Sequence, residues 1–118
     1  MHSRKVKHIV EPMFERHFYY ADANTSEEAC KLLNKCYKMG LTPSVGSVGE
    51  HWFLDKLDPE GNYKVSAFWA PKTKTHVVAH ECMHAVHAAT NELGFSLNSH
   101  TEEVYAYMLD FLIREIYA

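Results

Sequence analysis

Thr75-His76-Val77-Val78-Ala79-His80-Glu81-Cys82-Met83-His84-Ala85-Val86-His87-Ala88-Ala89 contains the pattern H-E-x-x-H in a run that can be helical. On a helix, residues four apart share a face about 5–6 Å apart, so His80 and His84 can aim ring nitrogens at one divalent metal. Glu81 lies one residue further round, where a carboxylate can stand beside the metal without binding it and take a proton from a metal-bound water.

The chain has 9 His and 11 Glu in 118 residues, and composition alone yields the bare pattern with a chance of about 6%. A sharper requirement is a third protein ligand on a second packed element, because catalytic zinc takes three protein ligands and keeps one position open. Thr101-Glu102-Glu103-Val104-Tyr105-Ala106-Tyr107 supplies an acidic pair for that role.

On these residues the chain resembles the gluzincin class of zinc metallopeptidases, in which H-E-x-x-H is followed on the next helix by a Glu ligand. Eighteen residues separate His84 from Glu103, and Glu103-Val104-Tyr105-Ala106 is similar to the E-x-x-A form of the third-ligand helix. The likeness extends to single-domain minigluzincins and to short phage-encoded proteins that pair H-E-x-x-H-A with E-E-x-x-A-Y. It implies zinc held by His80, His84 and Glu103, with Glu81 as general base. Glu102, about 100° round the helix, is the rival third ligand. Where thermolysin-like relatives carry an Asp four residues after the third ligand, this chain has Tyr107.

At 118 residues the chain is one domain's worth, with room for a single core but not for a separate substrate-binding domain. Hydrophobic residues at 47% and charged residues at 23% are ordinary for a globular protein. A net charge of −3 provides no basic patch for phosphate backbones, so nucleic acid is not an expected partner. After the basic start Arg4-Lys5-Val6-Lys7-His8 only Ile9 and Val10 precede Glu11 and Pro12, so neither a signal peptide nor a membrane span is expected. Cys30, Cys36 and Cys82 are an odd set without C-x-x-C spacing, which points to free thiols in a reducing, cytoplasmic setting. Cys82, two residues from His80, is read as a small packed residue.

Residues 6 to 20 mix β-branched and aromatic residues around Pro12 and fit either a helix or a strand. Thr25 with Glu28 three residues on is a capping-box pattern, opening a helix whose apolar period lasts to Gly40, a suitable C-terminal cap. Leu41 to Glu50 is loop-like, and His51–Leu57 and Asn62–Ala70, parted by Asp58-Pro59-Glu60-Gly61, read as a β-hairpin. The motif helix, capped by Thr73 or Thr75, extends to about Asn91; the last helix starts at Ser99 or Thr101, with Glu102 and Glu103 in its first turn. Ala106 would let that helix approach the motif helix closely. By resemblance, an edge strand beside the motif helix takes an extended peptide, and Tyr63–Trp69 is the candidate.

His76 and His87, a turn either side of the pair, are taken as solvent-facing or supporting residues. Asn91 stands where a metzincin would place its third His. Tyr105, Tyr107 and His100 are available to stabilise an oxyanion, without one being assigned. The expected fold is a small α+β domain, a short antiparallel sheet packed on the motif helix and the C-terminal helix with zinc between them. The expected function is a zinc-dependent peptidase acting on peptide or protein substrates. The runner-up is a binding or assembly protein that keeps the fold as a scaffold, and a third is a zinc hydrolase of a non-peptide amide. A scaffold has no need of the base Glu81.

Overall fold

The computed structural model describes residues 5–57 and 63–118. Its elements are β1 (Val6–Glu11), β2 (Arg16–Asp22), α1 (Ser26–Tyr37), β3 (Glu50–Leu57), β4 (Lys64–Ala70), α2 (Thr75–Glu92) and α3 (Glu102–Tyr117). The fold class is α+β, but the sheet is larger than expected and mixed: four strands in the order β1-β2-β4-β3, with β2 and β4 parallel and both outer pairs antiparallel.

Residues 6 to 20, open between helix and strand in sequence, fall in the hairpin β1–β2, which extends to Asp22 and in which Ile9 pairs with Phe18. Pro12 falls in its turn, where a missing N–H costs no ladder bond. Alternate residues of the two inner strands serve two separate cores. Phe18, Tyr20, Phe68 and Ala70 pack on α2 and α3, through Val78, Cys82, Val86, Tyr105, Met108 and Leu112. Ala21, Ala67 and Trp69 pack on the other face against Ala29 and Leu33 of α1. Covering both faces explains why β4 is buried at every residue from Val65 to Ala70 instead of at alternate ones. β2 can run parallel to β4 because α1 and β3 intervene, since parallel neighbours need a long crossover.

Thr25 caps α1 as expected, its hydroxyl accepting from the Glu28 N–H at 3.1 Å. The other end differs. Lys38, not Gly40, takes the left-handed cap conformation and donates its N–H to the Asn34 carbonyl at 2.9 Å, while the Asn34 side chain clamps both backbone polar groups of Leu41. Neither threonine side chain caps α2, whose cap position is Lys74. Thr101 occupies the cap position of α3 without a side-chain cap bond. The Asn98 side chain instead accepts from the N–H groups of His100 and Thr101.

Two further expectations are corrected. Tyr63–Trp69 does not supply an edge: β4 is bonded on both sides, and the outer strand beside α2 is β3. Ala106 does not face α2 but is exposed, because Tyr105, Met108, Leu112 and Ile116 set the inward face of α3. The turn at 58–61 lies outside the described residues. All three cysteines are free, and Cys82 is fully buried in the core, where burial pushes its thiol up to about 12. Among the described residues, no helix is long and apolar enough to cross a membrane.

Candidate metal centre

α2 carries Val77, Val78, Glu81, Cys82, Ala85, Val86 and Ala89 inward and leaves His76, His80, His84 and His87 on its outer side. The helical period therefore does what the motif requires of the pair. The Nε2 atoms of His80 and His84 stand 3.1 Å apart, with the rings at 75°. Two nitrogens bound to one tetrahedral zinc at about 2.05 Å would stand roughly 3.3 Å apart. The two imidazoles thus fit a shared ion with a shift of a few tenths of an ångström, and both are exposed enough to receive it.

Glu81 is the reverse case, a carboxylate only 5% exposed. It borders a cleft of about 330 Å³ with Val48, Gly49, His76, Val77 and His80. No donor among the described residues hydrogen-bonds its carboxylate. Burial raises its pKa; His80 and His84 work against that rise, and Glu50 adds to it. A largely buried side chain whose carboxylate opens on a cleft and takes no hydrogen bond keeps a raised pKa, and such groups concentrate where chemistry needs a base.

Glu103 is not brought to the histidines. It is exposed and lines a separate cleft with Met13, Phe14, Val104 and Tyr107, at the end of α3 nearest the β1–β2 turn. Glu102 is exposed as well. Among the described residues no three His, Cys, Asp or Glu side chains gather into a metal-holding group.

The side chain from another element that does stand beside the pair is His51 of β3. Its ring stacks on that of His84, centroids 6.4 Å apart and planes 18° apart, and its Nε2 meets the Ser66 hydroxyl at 3.0 Å. Burial, with His84 alongside, lowers its pKa to about 4, so its ring is neutral at pH 7. A lone histidine at the start of a strand carries no spacing signal in sequence, and only the β3–α2 packing joins His51 to the motif.

Two of the three candidate oxyanion groups are engaged elsewhere. The Tyr105 hydroxyl donates to the Phe95 carbonyl at 3.0 Å, and the Tyr107 hydroxyl donates to Glu11 at 2.5 Å. His100 is exposed in the α2–α3 loop. No protein-family profile, curated protein or solved structure matches this chain.

Proposed function

We propose that this chain is a zinc-dependent peptidase of gluzincin type, working in the cytoplasm on peptide or protein substrates. The observation that carries the proposal is the largely buried Glu81, its carboxylate on the same cleft as His80 and one turn from His84, with the two histidine nitrogens 3.1 Å apart. Zinc held by His80 and His84 would supply a Lewis acid and would lower the pKa of water towards 7. Glu81 would take the proton from the attacking water and hand it to the leaving amine. An extended substrate pairs with the free edge of β3, the strand that borders α2.

The third donor has two candidates. The resemblance assigns Glu103 of α3, and His51, whose ring is stacked 6.4 Å from that of His84 with its Nε2 on the Ser66 hydroxyl, is the second. Zinc content of Glu103→Ala and His51→Ala, measured beside the parent in protein purified without a histidine tag, decides between them: the ligand variant loses most of its zinc and the other keeps it.

Glu81→Gln tests the function itself. It retains about the parental zinc and loses hydrolysis by a factor of about 10²–10⁴. Equal turnover in variant and parent would end the mechanism. A parent that binds zinc and cleaves no peptide would leave the scaffold reading in its place.

A further inference from the structure

The wall of the cleft facing Glu81 is backbone. Gly49, the residue before β3, approaches α2 so closely that a Cβ placed on it would stand 2.8 Å from Val77 Cγ1, 2.9 Å from Glu81 Oε2 and 3.1 Å from Glu81 Cγ. Gly40, Gly46 and Gly94 differ in kind: each has a positive φ and nothing within 4 Å of its would-be Cβ. Glycine serves backbone conformation at those three positions and close approach at Gly49.

The approach is anchored from the next residue. The Glu50 carboxylate accepts from Ser26 Oγ at 2.5 Å, Ser44 Oγ at 2.5 Å and Trp69 Nε1 at 3.0 Å, while the Ser44 N–H donates to Ser26 Oγ at 2.9 Å. Glu50 is also paired with Trp69 in the sheet. One carboxylate thus ties the start of α1, the loop and β4 to the residue adjoining Gly49.

We infer that Gly49 is a positioning residue: its backbone holds the Glu81 carboxylate in one place at the cleft beside His80, and only glycine leaves room for it. The inference rests on the proposed role of Glu81 as general base. Of the groups a methyl at 49 would strike, Val77 is β-branched and stiff on its helix, whereas the carboxylate ends a flexible chain. Of the side chains, the carboxylate is therefore the one that turns aside, while the clash with Val77 is relieved only by a small shift of the backbone at residue 49.

Three proteins test this: Gly49→Ala, Val77→Ala and the double variant. In a crystal structure of metal-free Gly49→Ala the carboxylate is turned out of its place while the fold is kept. With zinc bound, kcat falls about 100-fold, in line with a misplacement of about 1 Å, while KM and zinc content stay near parental. Removing the valine methyls relieves only one of the two clashes, so the double variant stays as slow as Gly49→Ala and also carries the test if the single variant fails to fold. An unmoved carboxylate, or a double variant as fast as Val77→Ala, would overturn the inference and leave Gly49 as packing against Val77. A parent without hydrolytic activity would instead overturn the proposed function, and the crystal structure would still decide the contact.

Discussion

Two carboxylates that are almost fully buried meet opposite treatment in this fold. Glu81 has no bonding partner among the described residues, whereas Glu11, wholly buried, accepts from the N–H groups of Met13 and Phe14 at 2.7 Å each and from the Tyr107 hydroxyl at 2.5 Å. Glu11 therefore holds the β1–β2 turn closed and ties it to α3. Tyr107→Phe removes one of its three donors and should lower the unfolding free energy by about 1–3 kcal/mol in urea titration, with zinc content unchanged. The hydrogen bond to Glu11, with burial, also raises the Tyr107 phenol to about 12. A folded-state pKa above the unfolded value of about 10 favours the protonated phenol. Its stabilisation is complete below pH 10 and is lost as pH rises through 12. Alkaline unfolding curves of parent and Tyr107→Phe should converge over that range, and a constant gap would contradict the assignment.

At the scale of elements, α1 and β3 gain their places through polar ties that span the apolar layers. Thr25→Ala should cost about 1 kcal/mol, the ordinary loss of an N-cap, read as a lower urea midpoint at unchanged slope. Glu50 is the tie between β3, the preceding loop and α1. Burial works to raise its carboxyl, but the donors Ser26, Ser44 and Trp69 hold it below the usual carboxylate value. A depressed folded-state pKa contributes stability that is present above the unfolded value and lost as pH falls through the folded one. The parent should accordingly lose more stability than Glu50→Gln between about pH 5 and pH 3, measured by thermal unfolding across that range. Equal losses would show that Glu50 makes no net contribution.

At the scale of the whole molecule, zinc is a ligand of the folded state if it binds the histidine pair, which spans only one turn of an already formed helix. The folded state then gains about 2.7 kcal/mol when free zinc is 100 times its dissociation constant. Thermal unfolding should move upward on zinc addition and return on chelation, with no such movement in His84→Ala. A shift that persists in His84→Ala would place the ion elsewhere, for instance on His76 or His87 along the same exposed side of α2.

Local periodicity and short-range chemistry were enough for the sequence to determine α1 with its Thr25 cap, the β3–β4 pair, the α2 and α3 helices and the facing of His80 with His84. Each depends on residues within a turn or a hairpin of one another. Tertiary structure alone decided the rest. The choice of strand for residues 6 to 20 follows from pairing of β2 with β4, some 48 residues away, which no local window contains. The edge position of β3 follows from that same pairing, because β4 can be an edge only if nothing flanks it. The rotation of α3, which turns Glu103 and Ala106 outward, is set by which side chains fill the sheet-facing core, a comparison among Tyr105, Met108, Leu112 and Ile116 that spacing leaves open. His51 beside His84, and Gly49 against Glu81, are contacts between β3 or its approach and α2; they exist only because the sheet lays its outer strand next to the motif helix.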